Sequence, residues 1–222
     1  MKGHVVKVLA VEEVTHDVRR FKVKKPEGYS FTPGQATEAS INKKLLKDEK
    51  RPFTFTGLND WPLLEFTIKV YTDHHGVTEE LGKVKEGDEL IIRDVWGAIN
   101  YKGPGVFIAG GAGVTPFVAI FRQLQKEDKL NGNRLIFSNK TEKDIILKDE
   151  FQNMLGNKFY NTLTEEKNDK YDHGRINEEF LKQKINNFEQ DFYVCGPDSF
   201  VKDITNTLTK LGAKSDSVVF EK

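Results

Sequence analysis

One stretch near the middle of this 222-residue chain limits its fold more than any other: Val106-Phe107-Ile108-Ala109-Gly110-Gly111-Ala112-Gly113-Val114-Thr115-Pro116. A strand-length apolar run ends in a glycine turn, and Thr115-Pro116 then opens a helix. Threonine is a good N-cap, and proline is preorganised for the first helical turn. Glycines let a backbone approach a pyrophosphate closely, and a helix N-terminus offers N–H groups to that anion. A fold built around such a turn usually begins with it. Here about half of the chain comes first, so that half is expected to be a separate domain with its own task.

The two halves differ in rhythm. Before about residue 100 the pattern is strand-like, with candidates at 4–14, 18–23, 35–41, 52–56, 64–71 and 89–92. Turn signals at Pro26-Glu27-Gly28, Pro33-Gly34, Asn59-Asp60 and Gly87-Asp88 separate them. Six short strands in so little chain suggest a small antiparallel barrel. One short helix interrupts it, with Thr78 as the cap and Glu79-Glu80 in the first turn. After Pro104, strands at 106–109, 134–138, 159–163, 191–195 and 217–220 alternate with helices at 116–125, about 143–154, 177–185 and 197–211. Such alternation implies a parallel sheet covered on both faces, with ligands beyond the carboxyl ends of its strands. Gly110 and Cys195 both follow strands and are expected at one crevice. The expected fold is therefore two domains: an antiparallel six-stranded β-barrel over residues 1–102 and an α/β domain with a five-stranded parallel sheet over residues 103–222.

Composition excludes several classes. The longest apolar runs are strand-length, so no segment is expected to span a bilayer, and the start of the chain lacks a signal-peptide core. The single cysteine, Cys195, excludes an intrachain disulfide and an all-cysteine iron–sulfur cluster held by this chain alone. The cytoplasm is the default location. Net charge is zero, with 34 residues of each sign, so nothing in the overall charge argues for nucleic acid. No metal site is expected. His74 and His75 are adjacent with no other ligand near in sequence, as in exposed loops.

Each further motif has a plainer alternative. Arg51-Pro52-Phe53-Thr54 puts a cation, a ring and a hydroxyl on one strand. Arginine can neutralise a phosphate with forked hydrogen bonds, and phenylalanine can lie against a planar heterocycle. The same four residues also suit an ordinary edge strand. Gly76-Val77-Thr78 could receive a second phosphate or merely cap a helix. Cys195-Gly196-Pro197 brings a thiol to a strand end, where a small buried residue would serve equally well, and no Cys-His-Asn set accompanies it. The glycine turn itself does not match GxGxxG spacing.

In this order, Arg51–Thr54, the strand 64–71 leading to Gly76–Thr78, Gly110–Pro116, Gly174-Arg175-Ile176 and Cys195–Pro197 resemble the ferredoxin–NADP reductase superfamily, most closely its short bacterial flavodoxin/ferredoxin reductase type. The resemblance covers essentially the whole chain. It implies a flavin on the barrel, FAD rather than FMN, and NADH or NADPH on the second domain. It implies that Arg51 pairs with the flavin phosphate, Phe53 lies against the ring, and Thr54 hydrogen-bonds near its N5. The backbone of Ile68, Lys69 and Val70, with Gly76, Val77 and Thr78, would hold the rest. Gly111, Gly113, Thr115 and Pro116 would receive the nicotinamide nucleotide. Cys195, Gly196 and Pro197 would line the approach of its ring, making Thr54 and Cys195 the candidate catalytic pair.

There are departures. Phe53 stands where the family usually has tyrosine, and Phe220 is the candidate for the aromatic over the other flavin face. Leu163-Thr164-Glu165-Glu166 stands where NADPH users often carry Ser-Arg, which favours NADH unless Lys140 and Arg175 compensate. The activity implied is hydride transfer from NAD(P)H to FAD and single-electron delivery to a separate acidic carrier such as flavodoxin or ferredoxin. Lysines 43, 44, 47 and 50 are candidates to dock it. Two alternatives stay open: a reductase of free flavin, quinone or a haem protein, and a flavin-binding subunit of a larger complex.

Overall fold

The computed structural model describes residues 3–71, 76–97 and 99–220, so His74 and His75 lie outside the described residues. The chain forms two compact units. The first comprises Met1–Gly97 with Thr115–Gln123, the second Ala98–Val114 with Leu124–Lys222.

The first unit is built on six antiparallel strands: β1 His4–Thr15, β2 Val18–Lys24, β3 Ala36–Ile41, β4 Arg51–Thr54, β5 Leu63–Lys69 and β6 Glu89–Trp96. Their spatial order is β4-β3-β6-β1-β2-β5. β1 serves two neighbours, pairing β6 through His4–Lys7 and β2 from Val8 to Thr15, with register shifts at Val8/Ala10 and Glu13/Thr15. Such bulges bend a long strand and allow a sheet to curl. The edges meet beyond β4, where Phe55 bridges Phe66 and the Thr56 N–H donates to the Glu65 carbonyl at 2.9 Å. Alternation sends Val6, Val8, Phe21, Val23, Phe55, Leu64, Phe66 and Ile92 into one core. Phe55 stacks on Phe31 with centroids 4.1 Å apart. The short helix α1, Val77–Leu81, is capped by extended Gly76, and Thr78 lies within it. Thr78 is thus not the cap the sequence suggested, and no side chain makes a cap hydrogen bond there.

The second unit carries β7 Gly105–Gly110, β8 Arg134–Asn139, β9 Phe159–Leu163, β10 Asp172–His173, β11 Asp191–Cys195 and β12 Val218–Phe220, ordered β10-β9-β8-β7-β11-β12. All of its ladders are parallel. The sheet has six strands where the sequence reading expected five. The extra one, β10, is two polar residues long and pairs Asp172 with Thr162 and His173 with Leu163. A strand that short has no hydrophobic period to read, and a charged two-residue strand is one way to blunt a sheet edge.

α2 (Thr115–Lys126), α3 (Lys148–Leu155), α4 (Glu178–Lys184) and α5 (Asp198–Lys210) complete the helices. α3 begins later than expected. A 3₁₀ turn at Glu142–Asp144, closed by the Thr141/Asp144 capping box, uses the chain first, and Leu147 then turns with φ +53°. Val106, Ile108, Ile136, Phe192 and Val194 from the sheet pack with Leu181, Ile204 and Leu208 from the helices. The Tyr193 hydroxyl accepts from the Lys102 and Gly103 N–H groups and donates to the Gly103 carbonyl, fixing the segment that enters β7.

Candidate functional site

In the first unit the seam between β4 and β5 is closed only at its apex. Continuing the Phe55–Phe66 register would set Thr54 opposite Thr67 and Phe53 opposite Ile68. No ladder forms there among the described residues: β4 pairs with β3 alone and β5 with β2 alone. Beyond the Phe55–Phe66 bridge, the facing edges of β4 and β5 are therefore not bonded to each other through a ladder. Backbone polar groups need partners, so such a break in the ladder suits a planar polar ligand.

The side chains around it fit an anionic heterocycle. Arg51 is exposed; its Nη1 donates to the Lys50 carbonyl at 2.7 Å, and it pairs with no carboxylate among the described residues. Pro52 is exposed, Phe53 is half-buried against the barrel core, and Thr54 is half-buried. Ile68 is buried, so it offers backbone rather than side chain. Lys69 Nζ lies 2.7 Å from Asp17, and the Val70 N–H donates to the Asp17 carbonyl at 2.7 Å. Both groups are thus engaged, and Asp17 holds this strand end from behind. Burial raises the Asp17 pKa, but hydrogen bonds from Lys69 and Thr15 outweigh it and leave the carboxyl below the usual aspartate value.

The Gly76 carbonyl accepts from the Glu79 and Glu80 N–H groups. Val77 is buried and Thr78 half-buried. Both first-turn acids are held by Lys83, at 3.4 Å from Glu79 and 2.7 Å from Glu80.

In the second unit the carboxyl ends of β9, β8, β7 and β11 lie side by side. Gly111–Val114 forms a 3₁₀ turn that runs directly into α2, so Thr115 is the first helical residue rather than a cap. Thr115 is half-buried and Pro116 buried. The two glycines singled out from the sequence differ. Gly111 has φ +52°, and a Cβ there would meet nothing within 4 Å. Gly113 is needed for packing, since a Cβ would lie 2.4 Å from the Cys195 carbonyl oxygen. Gly196 meets the Phe200 ring at 2.8 Å and Gly110 Cα at 3.3 Å by the same construction. Cys195 pairs with Ala109 and is buried. The glycine turn and Cys195-Gly196 are therefore brought together, as expected. Pro197 is exposed and precedes α5. Phe220 pairs with Val194 on β12 and is half-buried against the second core.

The family model for the oxidoreductase NAD-binding domain matches residues 107–206. NADH-cytochrome b5 reductase 2 of Danio rerio is 27% identical over 93% of this chain and 80% of its own length. A flavohemoprotein of Bacillus cereus is 31% identical over 86% of this chain, which spans only 53% of that protein. A ferredoxin NADP+ reductase from Neisseria gonorrhoeae, solved with bound FAD and NADP, superposes with a TM-score of 0.87 at 21% identity, covering 100% of this chain and 98% of that one. The second half of the chain carries an oxidoreductase NAD-binding domain, and the fold over the whole length is that of this ferredoxin NADP+ reductase.

The stretch after β9 is rich in charge. Lys140 Nζ pairs with Glu165 at 3.2 Å, both side chains being largely exposed. Glu166 is occupied, accepting from the Glu142 N–H at 2.8 Å and the Asn168 amide at 2.7 Å. Glu165 is thus the carboxylate presented at this edge, and Arg175 is exposed. From β9 to β11 is three interstrand spacings, about 14 Å, so one extended dinucleotide could reach from Glu165 to Cys195.

Sequence reasoning missed a buried polar network at the apex of the β4–β5 seam. Glu65 is only 2% exposed. Its Oε1 accepts from Arg122 Nη1 at 2.6 Å and from the Thr56 hydroxyl at 3.0 Å. The one sequence signal was a charge inside the apolar run Leu63-Leu64-Glu65-Phe66.

No helix among the described residues is long and apolar enough to cross a membrane.

Proposed function

We propose that this protein is an NAD(P)H-dependent flavoenzyme that passes electrons to a separate acceptor. The missing ladder between β4 and β5, with Arg51 exposed beside it and paired with no carboxylate among the described residues, carries the reading, in a chain that also has an NAD-binding domain. Residues 1–102 are proposed as the flavin domain and residues 103–222 as the nicotinamide nucleotide domain. FAD is the preferred flavin; when bound, it supplies acceptance of a hydride from the nicotinamide and release of electrons one at a time.

The chain's own residues then have distinct tasks. Arg51 neutralises the pyrophosphate, Phe53 presents its ring to the flavin, and the Thr54 hydroxyl hydrogen-bonds at the flavin N5 edge. The backbone of Ile68–Val70 and Gly76–Thr78 holds the remainder. Gly111, Gly113, Thr115 and Pro116 receive the nicotinamide nucleotide. Cys195, Gly196 and Pro197 bound the place of its ring, and Phe220 is assigned to the flavin's other face. Cys195 acts by position and needs no nucleophilic step. Glu165 accepts from ribose hydroxyls and repels a 2′-phosphate, so NADH is the expected donor.

The acceptor is proposed to be an acidic one-electron carrier such as flavodoxin or ferredoxin. Lys43, Lys44 and Lys47 are all exposed, as is Leu45 among them, on a loop that leads into β4. Arg93, itself buried, donates to the Lys47 carbonyl at 3.0 Å and to Ser40 Oγ at 3.1 Å, so the loop is braced from below. Similarity to a cytochrome b5 reductase and a flavohemoprotein favours a haem protein as the second acceptor class.

Purified protein would be assayed with NADH against flavodoxin, ferredoxin, cytochrome b5 and free FMN. The proposal expects a carrier protein to be reduced fastest, with a rate that falls steeply with salt and in the triple charge reversal of Lys43, Lys44 and Lys47. Fastest reduction of free FMN, with no salt dependence, would replace it by the diffusible-acceptor reading.

A further inference from the structure

We infer that Glu65 and Arg122 are positioning residues for the flavin, setting how far β4 and β5 open; this rests on the flavin reading above. Arg122 lies in the part of α2 that packs with the first unit. Its Nη1 donates to Glu65 Oε1 at 2.6 Å and to the Thr56 carbonyl at 2.8 Å, and its guanidinium sits over the Trp61 ring at 5.4 Å. The side chains are 10% and 2% exposed, so the pair is essentially out of water.

Thr56 is the residue this network grips. Its N–H donates to the Glu65 carbonyl, its hydroxyl to Glu65 Oε1 at 3.0 Å, and its carbonyl accepts from Arg122. The same hydroxyl lies 3.2 Å from the Thr67 hydroxyl on the facing strand. Thr56 is therefore tied to both sides of the seam. Thr54 stands two residues before it on the same face of the strand. Thr67 and Ile68 begin the open edge opposite. Any shift at Thr56 changes the width of the gap where Thr54 would meet the flavin.

Stability alone is a poor reason for this arrangement. A buried ion pair gains little over well-packed apolar residues, because desolvating two charges offsets their attraction. Its advantage is geometric, since short charge-assisted hydrogen bonds tolerate little displacement. Arg20 adds a second positive charge, its Nε 3.9 Å from Glu65 Oε2 while its Nη1 donates to Glu12 at 3.1 Å. The carboxylate is thus bonded to Arg122 and Thr56, with a second cation nearby from β2.

The test uses the FAD-loaded full chain and compares Arg122→Lys and Thr67→Val with Val8→Ala, a buried barrel residue outside the network. Arg122→Lys keeps the charge and loses the planar guanidinium that lies over Trp61 and donates through Nη1 to both Glu65 and Thr56; Thr67→Val keeps the shape and loses the hydroxyl. FAD dissociation, the visible flavin spectrum, the flavin midpoint potential and thermal unfolding are measured for each. The proposal expects the first two variants to fold cooperatively, to bind FAD on the order of 10-fold more weakly, and to shift both spectrum and potential. Val8→Ala lowers the melting temperature and leaves spectrum and potential unchanged. If Arg122→Lys and Thr67→Val alter only the melting temperature, the positioning role is wrong and the network is structural. Wild-type protein that takes up neither FAD nor FMN would overturn the flavin reading itself, and this inference with it.

Discussion

The seam of the barrel and the glycine turn of the parallel sheet solve opposite problems. At the seam, β4 and β5 share no ladder among the described residues, so the proposed flavin site rests on what these strands do not bond to each other. At the turn, backbones close in: Gly113 lies against the Cys195 carbonyl, and Gly196 against Gly110. There the site is made by omitting side chains. The contrast teaches that one glycine in a phosphate-type turn can serve packing while its neighbour serves access. It also predicts that substitutions at the turn act mainly through the fold, and those at the seam mainly through the flavin.

Gly113→Ala should break the turn most severely. Its Cβ would have to displace backbone at 2.4 Å, and overpacking of that kind costs about 3 kcal/mol. Gly111→Ala faces open space and pays only for its left-handed backbone at φ +52°, about 1 kcal/mol. Urea unfolding of both variants measures the difference, and equal losses would refute the packing assignment. Arg51→Gln should show the reverse signature at the seam: FAD affinity lower by about 30-fold, the loss of a charge-assisted hydrogen bond, with unfolding of the apoprotein unchanged because Arg51 is exposed.

Smaller effects sharpen the contrast. Glu165→Ser should raise kcat/KM for NADPH relative to NADH by about 10-fold, since a carboxylate near a phosphate is repulsive in partly solvated surroundings. The seam should also respond to acid. The folded Asp17 carboxyl lies below its usual value, so its contribution is complete above the unfolded value and is lost as pH falls through the folded one. FAD retention should be flat near neutrality and fall in acid below the usual aspartate range as the Lys69 pair opens. In Asp17→Asn, an FAD titration across that range should show the acid step removed.

Much of the molecule is legible in its sequence. The strands of the barrel followed from strand-like runs between turn signals, with alternation explicit at 18–23, although β6 runs four residues past its expected end at Ile92; β7, β9 and β11 fell within a residue or so of their expected places. The glycine turn was legible because glycine is a local signal. Three features escaped for physical reasons. β10 is too short to carry a period. The Thr115 cap was displaced by a 3₁₀ turn that the glycines themselves permit. The Glu65–Arg122 pair joins residues 57 apart in sequence, and nothing local marks a carboxylate whose partner comes from a distant helix. Lys69 and Glu166 were visible as charges, yet only coordinates show that Asp17 and the Glu142 N–H already engage them.

Anaerobic addition of NADH, and separately of NADPH, to FAD-loaded protein tests the central claim most directly, with the visible flavin absorbance as the readout. The account predicts stoichiometric FAD binding and rapid bleaching, faster with NADH. Protein that binds no flavin, or flavin that stays oxidised with both donors, would contradict it.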